Sequence, residues 1–155
     1  MRLTTRSNIA MRTLMFCGVN SSTLVRKSDI AAACNVSENH LAQVVNNLAQ
    51  MGFLETQRGR SGGMRLGRPM KKISVGEVLR NFEAGVPFVE CFDEAMNTCP
   101  LTAGCRLRIA LEAAQEAFYA ALDPISLEDL LHENTTLEAI LRHSSARQQA
   151  SCTIR

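Results

Sequence analysis

The sequence lacks the features of membrane and exported proteins. Its 155 residues contain no apolar run long enough to cross a bilayer, which excludes a helical membrane protein. The charged opening, Met1 to Arg6, is not followed by a signal-type apolar core and a small-residue cleavage site. We therefore expect a soluble, cytoplasmic protein. In that reducing compartment we expect the six cysteines to be core thiols, metal ligands or reactive groups rather than disulfides.

The sequence also lacks a strong net charge, since its formal value at pH 7 is +2. The charges are unevenly distributed, however. Residues 58–72 carry six basic side chains and no acid, whereas residues 90–94 and 128–138 are acidic. Basic residues grouped in this way suggest a polyanion bound on one face, although a solvated, charged loop gives the same pattern. Charge alone favours the solvated loop.

Apolar side chains at helical spacing predict three helices in the first third of the chain. The first covers residues 6–19, the second is capped by Ser28 and ends at Cys34, and the third is capped by Ser37 and ends near Met51. The third helix carries polar side chains opposite its apolar stripe. Two helices joined by a turn of about four residues are typical of a helix-turn-helix.

A β-hairpin is predicted directly after the third helix. Strand-like segments at residues 53–57 and 64–66 flank a glycine-rich turn at residues 58–63. Arginines at such a turn can enter a minor groove or meet phosphates, and the glycines let the backbone approach a duplex closely. A flexible hairpin without a ligand is the alternative. The recognition-type helix before it favours a DNA-binding wing.

The second half of the chain is predicted to be helical on both sides of a cysteine-rich segment. A helix capped by Ser74 ends near Gly85, and residues 106–122 carry an apolar side chain every three or four positions. Because little chain remains to cover this stripe, we favour a dimer seam over an intramolecular core helix. Two short helices, 126–132 and 136–143, follow.

The predicted fold class is therefore mainly α with a small β-hairpin wing. Residues 1–73 form a winged helix-turn-helix DNA-binding domain. Residues 74–143 form a helical region that contains a loop at residues 88–105, here called the cysteine loop, and a long dimerisation helix at residues 106–122. We expect residues 144–155 to be a polar, disordered tail.

Three thiols, Cys91, Cys99 and Cys105, stand within fifteen residues in the cysteine loop. Thiolates suit iron–sulfur clusters, and three of them satisfy three irons of a four-iron cluster while the fourth iron stays open. A zinc-bound module and a thiol redox protein are the alternatives. The lack of a Cys-x-x-Cys pair and of a histidine in the loop counts against zinc, and the lack of a nearby base counts against a thiol enzyme.

The other three cysteines, and the two histidines in the second half of the chain, are assigned no such chemistry. Cys17 and Cys34 lie on apolar helix faces and are predicted to be plain core residues. Cys152 stands in the polar tail and has no assigned role. We expect none for His132 and His143 either.

The chain resembles the Rrf2 family of bacterial transcription regulators over roughly residues 1–143. The match is carried by the segments at residues 1–4, 36–41 and 58–67 and by the three loop cysteines. The resemblance implies a homodimer that binds a pseudopalindromic operator in double-stranded DNA, with no catalytic role and no membrane contact. It also implies a cluster, most simply of the 4Fe–4S type with three cysteine ligands, whose state controls DNA binding. The cluster ligands implied are Cys91, Cys99 and Cys105, and the DNA-binding residues are Ser37, Asn39, His40, Gln43, Arg58, Arg60, Ser61 and Arg65.

Within this family, gaps of seven and five residues between the cysteines are most like those of the rhizobial iron regulators, RirA. The nitric-oxide-sensing repressors, NsrR, are close relatives, and in them an aspartate at the position of Asn8 reaches the partner subunit's cluster. A neutral amide binds iron less well than a carboxylate. The resemblance therefore favours a repressor of iron-responsive genes that binds DNA while its cluster is intact, with a nitric oxide sensor as the alternative.

Overall fold

The computed structural model of the protein describes residues 3–59 and 61–142. This part of the chain is mainly helical with one small antiparallel hairpin, as predicted. Within it, no helix combines the length and the apolar character needed to span a membrane. Arg60, His143, Cys152 and the predicted tail lie outside the described residues. The elements in chain order are α1 (Thr5–Val19), α2 (Lys27–Cys34), α3 (Glu38–Gln50), β1 (Leu54–Gln57), β2 (Gly63–Leu66), α4 (Val75–Glu83), α5 (Arg106–Leu122), α6 (Leu127–Leu131) and α7 (Thr135–Leu141).

Serine side chains cap three of these helices, and the caps at Ser37 and Ser74 are those that the sequence predicts. The side chains of Ser37, Ser74 and Ser126 each accept a backbone N–H from the first turn of α3, α4 and α6. The prediction for α2 was wrong by two residues, because the N-cap is Arg26 rather than Ser28, and Ser28 lies inside the first turn of the helix. The Asp29 carboxylate accepts the Arg26 N–H at 3.0 Å, which moves the start of the helix upstream.

The hairpin is anchored to the start of α2. Leu54 pairs with Leu66 across the two strands, and Val25 forms a further antiparallel bridge with Met64. The Val25 N–H donates to the Met64 carbonyl at 3.0 Å, and the Met64 N–H donates back at 2.8 Å. Leu54 and Met64 are buried, so the hairpin packs one face against the helices.

One large core joins most of the elements. Phe16, Leu48 and Phe53 are at most 1% exposed at its centre. The same core includes Val78 of α4 and Leu127 of α6, so it continues across the predicted domain boundary between residues 73 and 74. Helices α4, α6 and α7 thus pack on the helix-turn-helix, and the domain division remains a prediction.

Helix α5 is attached to this body mainly through its last turns. Tyr119 packs with Val75 and Leu79 in a second, smaller core. Arg80 lies over the Tyr119 ring at 4.7 Å and binds Glu116 at 2.6 Å and Asp123 at 2.9 Å. These carboxylates raise the pKa of Arg80 further above its usual range. The other end of α5 is uncovered, since Leu107 is 64% exposed.

A glycine permits the close contact between α4 and the end of α5. A Cβ atom at Gly76 would stand 2.1 Å from the Asp123 Oδ1 atom and 2.7 Å from its backbone nitrogen. Neither distance is compatible with a side chain unless the two elements move apart.

Candidate functional site

The predicted recognition helix presents a row of polar side chains. Asn39, His40 and Gln43 are exposed on α3, opposite the buried Leu41, Val44, Val45 and Leu48. Ser37 is also exposed, but its Oγ atom accepts the His40 N–H at 3.4 Å and so caps the helix. An N-cap hydroxyl already engaged in this way has one further lone pair and its proton left for a phosphate.

The wing arginines differ in their partners. Arg58 and Ser61 are exposed in the turn between β1 and β2, and Arg60 lies outside the described residues. Arg65 stands on β2 opposite Glu55, and its Nε and Nη2 atoms donate to the Glu55 Oε2 atom at 2.9 and 2.8 Å. Among the described residues, Arg58 has no such ion pair.

Part of the basic segment at residues 58–72 stabilises the fold. The Arg68 guanidinium lies over the Phe53 ring at 4.2 Å, donates to Glu77 at 3.1 Å and donates to the Met51 carbonyl at 3.0 Å. Lys71 pairs with Glu128 at 3.5 Å. These residues link the end of α3 to α4 and α6, so their charges are less available to a polyanion than the sequence suggests.

A groove of about 500 Å³ between α2, α3 and the hairpin shows residues that sequence reasoning missed. Arg26, Lys27, Asn46 and Gln57 are exposed along it. The adjacent basic pair before α2 was the available signal, because basic residues at a helix start beside a recognition helix are well placed for phosphate contacts.

The cysteine loop presents three thiols in similar surroundings. Cys91 lies in a 3₁₀ turn, Glu90–Phe92, and Cys105 is the N-cap residue of α5. Cys99 lies between them, and all three thiols are half-buried and free. They are therefore neither sealed in the core nor joined to one another.

A set of polar contacts orders the loop around these thiols. The Glu90 carboxylate accepts the Thr98 N–H at 2.8 Å and its hydroxyl at 2.6 Å, and these bonds lower the pKa of Glu90. The Asn97 Oδ1 atom accepts the Cys99 N–H at 3.0 Å. Thr102 donates its hydroxyl to the Cys99 carbonyl at 2.9 Å. Side chains next to Cys91 and Cys99 thus shape the backbone that carries the sulfurs.

The chemistry of the three loop thiols suits the irons of an iron–sulfur cluster. Across residues 3–59 and 61–142, no three His, Cys, Asp or Glu side chains are placed to share one metal ion. A cluster places a different demand on its ligands, because its irons are separate and thiolates are their usual ligands. Three free, half-buried thiols on one short loop meet that chemical requirement.

Asn8 lies on the face of α1 that points away from the core. Its side chain is exposed, and its Nδ2 atom donates to the Thr4 carbonyl at 3.1 Å. A cavity of about 470 Å³ beside it is also lined by Arg12 and His40. The amide is thus held on α1 close to the start of the recognition helix.

The two remaining described cysteines are chemically different from the loop thiols. Cys17 is 1% exposed and Cys34 is 7% exposed in the main core. Burial, with Cys34 as a smaller contribution, raises the pKa of Cys17 to about 12, and burial also raises the pKa of Cys34. Both are core residues, as the sequence predicts. His132 is exposed just after α6.

A family model for Rrf2, an iron-dependent transcriptional regulator, matches residues 3–133. The chain belongs to the Rrf2 family. This Rrf2 chain is 42% identical over 143 residues to the HTH-type transcriptional regulator NsrR of Geobacillus kaustophilus, which covers 92% of this chain and 97% of that protein. It is 40% identical over 133 residues to the HTH-type transcriptional repressor NsrR of Streptomyces coelicolor, which covers 84% and 88%.

A solved structure agrees with the fold of this Rrf2 chain. IscR of T. potens superimposes with a TM-score of 0.66 over 84% of this chain and 86% of its own, at 22% identity. The predicted winged helix-turn-helix is therefore confirmed, and the chain is a DNA-binding transcriptional regulator of the Rrf2 family. The two NsrR proteins reported above are transcriptional regulators by name.

Proposed function

We propose that this Rrf2 protein is an iron–sulfur-dependent transcriptional repressor of the NsrR type, which responds to nitric oxide. The observation that carries the proposal is its identity of 42% with an NsrR regulator over 97% of that protein's length. This favours the nitric oxide sensor, which the sequence suggested only as an alternative, over the rhizobial iron regulator. The cysteine spacing pointed to RirA, but spacing determines which atoms bind a cluster and not which signal the cluster receives.

Cys91, Cys99 and Cys105 are the residues proposed to hold the cluster, most simply of the 4Fe–4S type. When bound, such a cluster with three thiolate ligands supplies an open iron that can react with nitric oxide. The contribution of the chain is to hold the sulfurs. Glu90 and Asn97 do this by binding backbone N–H groups of the loop, including that of Cys99.

The protein is proposed to act as a homodimer in the cytoplasm. Leu107 and Ile109 are 64% and 67% exposed on α5, and exposed apolar side chains at this density favour a partner surface. A symmetric pair of helix-turn-helix units suits a pseudopalindromic operator with half-sites about one helical turn apart. In this scheme residues 1–73 bind DNA, and residues 74–143 carry the cluster and the dimer contact.

The test is an operator-binding titration with anaerobically purified protein. We expect nitric oxide to abolish binding of the brown, cluster-loaded protein and an iron chelator to leave binding intact over the same period. If the chelator abolishes operator binding while the exposure to nitric oxide is kept the same, the iron regulator is favoured instead. Serine replacement of Cys91, Cys99 and Cys105 is the control, and it should give colourless protein without a nitric oxide response.

The DNA-binding residues are tested separately from the signal. Arg58→Ala should weaken binding to all duplexes and lower the slope of log affinity against log salt by about 0.9, because one phosphate contact is lost. Arg65→Ala should have a smaller effect, since Arg65 already pairs with Glu55. Gln43→Ala, on the exposed face of α3, should instead reduce the preference for operator over random duplex. Equal effects of all three variants on operator and random duplex would contradict these assignments.

A further inference from the structure

A single carboxylate joins the two ends of the molecule that the proposed mechanism must connect. Glu83 is the last residue of α4, and its Oε1 atom accepts the Thr4 N–H at 2.8 Å and the Thr4 hydroxyl at 3.0 Å. It also accepts the hydroxyl of Ser7, which is fully buried. Three bonds to one charged oxygen, formed between residues far apart in sequence, make a strong and specific tether.

On one side, the tether holds the start of α1. The Thr4 side chain caps this helix by accepting the Ser7 N–H at 3.2 Å. The first turn of α1 contains no acidic residue, so Glu83 supplies from another helix the negative charge that a helix N-terminus favours. Further along α1, Arg12 donates to the Cys34 carbonyl at the end of α2 at 3.2 Å. A shift of α1 would therefore also move the end of α2, which is the first helix of the helix-turn-helix.

On the other side, Glu83 adjoins the route to the cysteine loop. Gly85 has a φ angle of +81° and turns the chain out of α4. The next residues, Val86 to Phe88, lie against a cavity of about 340 Å³ that Glu83 and Tyr119 also line. The pKa of Tyr119 is raised mainly by burial and secondarily by the Glu83 carboxylate. Glu83 therefore ends the helix before the loop and shares a cavity with Tyr119 of the helix after the loop.

We propose that Glu83 is a positioning residue that couples the cysteine loop to the DNA-binding helices through Thr4 and Ser7. This inference rests on the proposed function, because it assigns a route by which the loop's state reaches the operator. When the loop is ordered, the end of α4 and α5 hold the carboxylate against the start of α1. When the loop rearranges, the same three bonds draw α1 and the helices packed on it away from that position.

The test compares operator affinity with and without the cluster, not affinity alone. For each full-length variant, the dissociation constant of cluster-free protein is divided by that of cluster-loaded protein. Iron and sulfide per chain, the visible spectrum and the melting temperature are measured on the same samples. The variants are Glu83→Ala, Glu83→Gln and Ser7→Ala. Glu94→Gln is the matched control, because Glu94 lines the neighbouring cavity and is exposed.

We expect a wild-type ratio within the usual allosteric range of about 5 to 150. Glu83→Ala should lower that ratio by about two- to thirtyfold, as residues on a coupling route do, while cluster content and cluster-free affinity stay unchanged. Glu83→Gln keeps an acceptor oxygen but loses the charge, and should fall between Glu83→Ala and wild type. Ser7→Ala removes one of the three bonds, so its ratio should also fall between those of Glu83→Ala and wild type. The ratio of Glu94→Gln should match that of wild type.

The failure of this inference and the failure of the proposed function give different results. A wild-type ratio of one overturns the proposed function, and the coupling with it. A large wild-type ratio that Glu83→Ala and Ser7→Ala both leave unchanged overturns the coupling alone. A variant that loses the cluster, or that weakens both affinities equally and melts earlier, assigns Glu83 a purely structural role. If Glu83→Ala does not fold, Ser7→Ala and Glu83→Gln decide the question.

Discussion

The helix-turn-helix with its hairpin and the segment from the cysteine loop through α5 are held by different forces. Phe16, Leu48 and Phe53 are at most 1% exposed in the first region. Within residues 84–122, all of which the structure describes, Tyr119 is the one buried residue. The loop depends on hydrogen bonds such as Glu90 to Thr98. A region packed by its own side chains keeps its shape, whereas a region ordered by polar contacts can respond to what binds it.

Thiol reactivity should separate the two regions most strongly. At pH 8 a thiol with a pKa of about 12, such as Cys17, is ionised in about one molecule in ten thousand. In cluster-free protein we expect an alkylating reagent to modify the three loop cysteines while Cys17 and Cys34 are spared. Peptide mass spectrometry measures this, with denatured protein as the control in which all react. Modification of Cys17 at the rate of Cys91 would show that the core opens.

The next largest difference between the two regions should be the loss of stability when an apolar side chain is truncated. Phe16→Ala should lower the free energy of unfolding by about 3–5 kcal/mol, because it leaves a cavity in the main core. Leu101→Ala, at a position 69% exposed in the cysteine loop, should change it by less than about 0.5 kcal/mol. Chemical denaturation of cluster-free protein provides both values. A comparable loss for the two variants would mean that the loop is packed against something in solution.

The junction between the regions should be sensitive to one methyl group. Gly76→Ala forces a Cβ atom against Asp123, and overpacking of this kind costs about 1–3 kcal/mol. Gly104→Ala is the matched control, since its Cβ would meet no atom within 4 Å. Denaturation midpoints compare the two. If Gly76→Ala is as stable as Gly104→Ala, α4 and α5 are not in close contact.

Acid should loosen α5 before it affects the helix-turn-helix. Hydrogen bonds from Arg80 lower the pKa of Glu116 below its ordinary value of 4.5. A carboxylate whose pKa is lowered in the folded state stabilises the fold at any pH above its ordinary pKa. This stability is lost as the pH falls through the lowered pKa. Amide hydrogen exchange in α5, followed against α3, measures the effect. The increase in exchange should be small, because the ion pair between Arg80 and Glu116 is exposed. Glu116→Gln should remove the increase.

Local signals explain why much of the DNA-binding region could be predicted. Ser37 and Ser74 were identified as caps because a hydroxyl three residues before a free N–H is a local arrangement. The hairpin followed from its glycine-rich turn. The start of α2 was misplaced because Asp29 competes with Ser28 for the cap, and the sequence does not say which side chain succeeds.

The site was predicted less completely because its contacts join distant residues. Arg68 was counted with the basic segment, but it binds Glu77 and stacks on Phe53. Glu83 carried no signal at all, since Thr4 lies 79 positions away. The cysteine spacing suggested which thiols to propose as ligands, and within the family it favoured RirA. The comparisons favour NsrR instead, because identity over the whole chain carries more information than the two gaps between three cysteines.

The bridge between Val25 and Met64 fixes the distance from the N-terminal end of α2 to the wing. Lys27 and the hairpin turn therefore move together at a constant separation. If the protein acts as the proposed dimer, a signal received at the cluster should leave the DNA contacts within each half-site unchanged. It should alter the distance and the angle between the two halves of the dimer, so regulation should appear as altered tolerance for the spacing between half-sites.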